Sequence, residues 1–167
     1  MIDDLISNVN INIIVDTLVT QSRRIQAHEK EEHALSYGPY VEMRRKHNVT
    51  GLLLSAFAPD RFKHEGFEIT DLKYGLNNKL SQPELRVDNA IIQVYSSGSN
   101  LKGTVIGERC AEYNKDDLSR PQFLLIVVTI NAAGVISRID IRRPDKSNNI
   151  VEEKQLYTNR VQFASAM

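Results

Sequence analysis

The chain lacks tryptophan and has a single cysteine, Cys110, in 167 residues. One thiol closes no intrachain disulfide and builds no Cys-rich zinc site. Charge of one sign is also missing: 21 Lys and Arg balance 21 Asp and Glu. A general nucleic-acid binder draws most of its affinity from phosphate neutralisation and carries a basic excess. A neutral total argues against that class, while leaving room for a local patch. It also removes the self-repulsion that opposes association. Long hydrophobic runs are absent too. The longest, Phe123 to Val128, is six residues, far below the roughly 20 that a membrane helix needs. The opening Met1-Ile2-Asp3-Asp4 has neither the basic start nor the apolar stretch of a signal peptide. The expectation is a cytoplasmic protein with no membrane partner.

What is present is ordinary globular composition, 41% apolar and 25% charged, at a length that suits one domain. Ile2, Leu5, Ile6 and Val9 stand at helical spacing, and then Asn8 to Ile13 alternates as a strand would. Asn is poor in both states, so a turn or short break is expected near Asn10 to Asn12. Asp16 to Leu35 reads as helix, with Asp16 as its cap. Between Thr20 and His33 only Ile25 and Ala27 are apolar. Gly38-Pro39 ends this helix, and a short one follows from Pro39 to His47 with proline in its first turn.

From Gly51 onward the pattern becomes β-like. Leu52-Leu53-Leu54 and Phe57 suggest a buried strand. Leu85 to Tyr95 and Thr104 to Cys110 read as the two arms of a hairpin across Ser96 to Asn100. Phe123 to Ile130 is a continuous apolar run, as in a central strand covered on both faces. Val135 to Ile141 alternates, and Ile150 to Tyr157 follows a turn at Asp145 to Asn149. The expected fold class is therefore α+β, with N-terminal helices packed on a mainly antiparallel β-sheet. It forms a single domain, 1–167, with a helical segment 1–47 and a β-rich segment 51–163.

Three local motifs yield to plainer readings. His28-Glu29-Lys30-Glu31-Glu32-His33 is close to a zinc-protease signature, but its histidines are five apart rather than four. Five residues turn a helix by about 140° from its starting face, so one ion cannot take both. A solvated face with i,i+4 pairs fits better. Gly98-Ser99-Asn100-Leu101-Lys102-Gly103-Thr104 echoes a phosphate loop, yet its lysine precedes the second glycine. With Thr104-Val105-Ile106 read as strand, there is no helix N-terminus to bind an anion. Cys110 is expected as a small buried side chain rather than a nucleophile.

Two arrangements resemble the PD-(D/E)XK nucleases, in which two carboxylates hold a metal and a lysine helps activate water. Pro144-Asp145 with Glu152-Glu153-Lys154 matches the written pattern. In that family a helix and a further strand follow the motif, and only a short stretch of chain follows Lys154. A turn and a charged edge strand explain these residues. The second arrangement comes from pairing. In the expected hairpin, Asp88 and Glu108 become diagonal neighbours, roughly 7 Å apart at the backbone. That spacing lets two carboxylates share a divalent ion. Glu42 on the short helix would be a third acid. The position two after Glu108 is Cys110, so the family's lysine is missing.

The basic clusters are Arg23-Arg24, Arg44-Arg45-Lys46-His47 and Arg142-Arg143. Arg44, Arg45 and Lys46 are the candidate binding patch. Two functional expectations result. One is a non-catalytic interaction or assembly protein, acting through its N-terminal helices and sheet surface, with a protein partner or a second copy and no cofactor. The alternative is a divalent-metal nuclease or nuclease relative, with DNA as partner and Asp88, Glu108 and Glu42 holding Mg2+ or Mn2+. A pocket for a small molecule remains open, because a curved sheet backed by helices can enclose one.

Overall fold

A computed structural model describes residues 1–33, 59–70, 84–97, 100–115, 119–131 and 135–160. In chain order it contains helices α1 (Ile2–Asn8), α2 (Asn12–His33) and α3 (Pro59–His64), and strands β1 (Glu68–Thr70), β2 (Glu84–Val87) and β3 (Ala90–Ser96). Helix α4 (Val105–Tyr113) and strands β4 (Gln122–Ile130), β5 (Ile136–Pro144) and β6 (Ile150–Thr158) complete it. The six strands form one sheet and lie side by side in chain order. Every neighbouring pair is antiparallel except β3 and β4, which run parallel. The class is α+β, with a sheet that is antiparallel for the most part. Among the described residues no helix is long and apolar enough to cross a membrane.

β4 is the strand around which the rest is arranged. Its apolar run was expected to be covered on both sides, and it is. Leu124, Ile126 and Val128 enter one buried cluster, while Phe123, Leu125 and Val127 enter another. Side chains alternate along a strand, so these clusters lie on opposite faces. The first includes Ile92 and Val94 of β3 and Ile139 and Ile141 of β5, together with Ile2, Leu5, Ile14 and Leu18 from the N-terminal residues. The second joins Ile91 of β3 to Cys110, with Ile106 and Tyr113 of α4 packed against it.

The parallel pair dictates α4. Parallel neighbours cannot be linked by a tight turn and need a crossover. Thr104 to Cys110 was expected to be a strand and is instead the start of that crossover helix. Thr104 caps it, its Oγ1 accepting the Gly107 N–H at 3.0 Å. The β-branched Val105 and Ile106 favour a strand locally, but Ile106, Cys110 and Tyr113 stand at i, i+4 and i+7, the spacing of one helix face. The expected single strand Leu85 to Tyr95 is also corrected. It is a hairpin of β2 and β3 around Asp88-Asn89, with Asp88 in the left-handed region at φ 49°. Aspartate tolerates that conformation better than most residues. The hairpin between Leu85–Tyr95 and Thr104–Cys110 does not form.

The break between the first two helices falls among the asparagines. α1 ends at Asn8, Val9 is extended at φ −126° and ψ 138°, and α2 starts at Asn12. Asp16 therefore lies within α2 rather than capping it. Ile11, Ile13, Ile14, Val15 and Leu18 are all buried, so α2 begins as a helix covered on more than one side. Glu152 of β6 accepts hydrogen bonds from the Met1 ammonium at 3.2 Å, the Ile2 amide at 3.3 Å and Arg143 Nε at 2.5 Å. Beside it, Lys154 Nζ reaches Asp3 at 2.6 Å. The expected helix Pro39 to His47 and the strand near Leu52 to Phe57 fall outside the described residues.

The end of α4 is fixed by one amide. Asn114 is 3% exposed. Its Nδ2 donates to the carbonyls of Phe123 at 2.8 Å and Pro144 at 2.7 Å, and its Oδ1 accepts the Phe123 amide at 2.6 Å. Asn114→Ala would leave three backbone groups buried without that partner, at about 1–3 kcal/mol each when nothing replaces it. We expect chemical denaturation to show a loss of at least about 2 kcal/mol, with Asn114→Asp no better because it lacks the donors. Glu152 supplies a pH prediction. Its carboxyl is desolvated, which pushes its pKa up. The Arg143, Ile2 and terminal-ammonium hydrogen bonds outweigh this and hold it below the ordinary glutamate value. A depressed folded value stabilises above the unfolded pKa and is lost as pH falls through the folded one. Melting curves of the wild type and Glu152→Gln should therefore differ most near neutrality and converge as pH drops below the ordinary glutamate range.

Candidate functional site

The face of the sheet under α4 holds most of the polar groups that the core encloses. Leu85 pairs with Ile92, which brings Glu84 and Gln93, the next residues outward, across from each other. Gln93 is level with Leu125, Leu125 with Arg142, and Arg142 with Glu153. One row of side chains thus crosses the sheet from a buried acid to a charged edge. The adjacent row contains Tyr95, Val127, Asp140 and Gln155.

Glu84 is 1% exposed and forms an ion pair with Arg109 of α4, while Arg86 Nη2 stands 3.7 Å away. The Arg109 guanidinium also lies 5.6 Å from the Tyr113 ring centroid and 5.8 Å from that of Phe123. The two rings stack at 6.2 Å. The cation is therefore held between an acid and two π faces. Glu84 and Arg109 were not among the residues singled out by the sequence. The signal was a charged residue beginning a short apolar strand and an arginine at i+3 from Ile106, on the face that α4 turns to the sheet.

Asp140 is a second buried acid, 1% exposed. Arg138 Nε meets its Oδ2 at 2.7 Å, and Arg142 Nη2 is 3.8 Å from the same oxygen. Arg142 Nε in turn meets Glu153 at 2.7 Å. Cys110 is fully buried, as expected, and burial pushes its thiol up to about 12.

Asp88 and Glu108 do not share a hairpin. Asp88 is exposed in the β2–β3 turn and Glu108 is exposed in the first turn of α4. Asp88 lies instead near Asp4 and Asn8, around a hollow of about 150 Å3 that Met1 also lines. Glu42, Arg44, Arg45 and Lys46 lie outside the described residues. Among the described residues no group of three or more His, Cys, Asp or Glu is placed to hold a metal. The residues Asp145 and Glu152 to Lys154 form the turn and charged edge strand that their composition implied.

The loop before α4 does lead into a helix, contrary to the strand expected after Thr104. Gly103 takes φ 76°. Gly107 packs so closely that a Cβ there would collide with the Leu101 carbonyl and stand 3.2 Å from Asn148 Nδ2. Beside this contact a cleft of about 190 Å3 opens on the sheet, over Tyr95, Leu125 and Val127. No family model, no curated protein and no solved structure matches the chain.

Arg109→Met would keep apolar cover over Phe123 but leave Glu84 buried without its helix counter-charge. Removing one partner of a buried pair costs on the order of 3–5 kcal/mol. We expect a loss of that order in urea denaturation, with much of it recovered when Glu84→Gln is added. Equal stability of Arg109→Met and the wild type would show that the pair contributes nothing.

Proposed function

We propose that the protein is a non-catalytic interaction or assembly protein that works through its N-terminal helices and its sheet surface. The observation that carries this reading is the closed Glu84–Arg109 pair. The strand pair β2–β3 is followed by a helix and a further strand, which is the order the nuclease resemblance implies. On that pair the acid is Glu84, and it faces a guanidinium rather than an open position. Its cross-strand neighbour, Gln93, is an uncharged amide. A carboxylate paired in this way is poorly placed to ligate a divalent ion, which needs exposed oxygen ligands.

The surface favours association with a second copy. Among the described residues β6 is an edge strand, and edge strands offer unpaired backbone groups to another chain. At its start Ile150 and Val151 are 42% and 49% exposed. Zero net charge leaves no general repulsion. α1 is packed beside the same strand through Asp3 and Glu152, so a partner on β6 would meet helix and sheet together. Arg44, Arg45 and Lys46 remain candidate contacts of that partner. The cytoplasm is the proposed location.

The alternative, a nuclease relative using Asp88, Glu108 and Glu42 with Mg2+ or Mn2+, draws support from the β3–α4–β4 order. Two measurements separate the readings. Light scattering over a concentration series should show a mass above that of the 19.0 kDa chain, and Val151→Lys should lower it without changing the circular dichroism. A constant monomer mass would count against assembly. In the presence of Mg2+ or Mn2+ we expect no DNA cleavage. Cleavage that disappears in Asp88→Ala would establish the alternative instead.

A further inference from the structure

The geometry points to a property beyond assembly: the cleft beside the crossover binds a small amphipathic anion, a single ring or short chain bearing one carboxylate or phosphate. Its floor is apolar, formed by Leu125 and Val127 of β4, each 1% exposed, with Tyr95 and Ile150 at the sides. Its rim is cationic, with Lys102 and Arg142, and among the described residues no acid lines it. An empty apolar cavity of about 150 Å3 accepts benzene. A cleft of about 190 Å3 therefore has room for one ring and a head group.

Three features specify the head group and its place. Lys102 forms no ion pair among the described residues; its backbone amide bonds Asn100 Oδ1 at 3.1 Å and its ammonium is left for a ligand. Arg142 is fixed at the rim by Glu153 and Asp140, which balance its charge, so it offers positioned N–H donors while Lys102 supplies the positive charge. Asn148, in the left-handed region at φ 65°, presents a buried Oδ1 without a hydrogen-bond partner beside the same cleft. Buried polar atoms in that state ordinarily have a water or ligand. Of the α4 amides, that of Gly107 is already taken by Thr104. Side chains would do the binding.

The test is a two-dimensional amide NMR titration of the full chain with benzoate, benzyl alcohol and inorganic phosphate. Benzoate should shift the amides of Tyr95, Lys102, Leu125 and Val127 and saturate. Benzyl alcohol should shift the same amides more weakly, and phosphate should not match benzoate. Lys102→Gln should weaken benzoate about tenfold and leave benzyl alcohol unchanged. Ile150→Trp, at an exposed position on the rim, should fill the mouth and weaken both. Shifts scattered over the surface, or benzoate affinity untouched by both variants, would overturn the proposal. So would phosphate binding as tightly as benzoate, since the apolar floor would then contribute nothing.

Discussion

Keeping both faces of β4 from water is the constraint on which this structure depends. Six consecutive apolar residues, Phe123 to Val128, leave no side of the strand that can be wet. One face enters a buried cluster with residues of β3 and β5, and the other is covered by the helix between β3 and β4. Because β3 and β4 run parallel, the chain must cross the sheet between them, and the crossover carries that helix. The position of Cys110, on the face that the helix turns to β4, follows from this crossover.

The same insertion brings charge into the interior. α4 reaches the sheet with Arg109, and Glu84 waits at the start of β2. Further along the sheet, where α4 no longer covers it, Asp140 is closed over by Arg138 and Arg142 instead. The two acids are thus neutralised by different means on one face. Neither arrangement is the open carboxylate cluster that a metal requires. Breaking a buried pair of this kind costs more than the pair adds in net stability.

What was legible in the sequence was decided by whether local signals agreed. β4 was read correctly because its run is too uniform for an amphipathic element. The break before Asn12 was read because asparagine suits neither helix nor strand. The β5–β6 turn was read from Asp145 to Asn149, where the Asp145 carboxylate does accept the Ser147 and Asn149 amides. The segment Thr104 to Cys110 was misread because Val105 and Ile106 favour a strand, while the capping threonine and the i, i+4, i+7 face favoured a helix. That error displaced Asp88 and Glu108 with it. The Glu84–Arg109 pair was not legible at all. Ion pairs between a strand and a distant helix depend on register and crossover, which single residues do not announce.

The parallel seam between β3 and β4 divides the sheet into two antiparallel halves. β2 and β3 meet across a two-residue turn, and β4, β5 and β6 follow one another through short connections. Each half can zip from its own turns. Joining them requires the whole segment from Ser97 to Pro121 to be closed first, and closing a longer loop costs more entropy than a tight turn. The seam is therefore where the chain's local order ends and its global order begins. Closing that segment is the larger entropic cost in bringing the two halves together as one sheet, and the crossover helix is the part of it that packs on the face it covers.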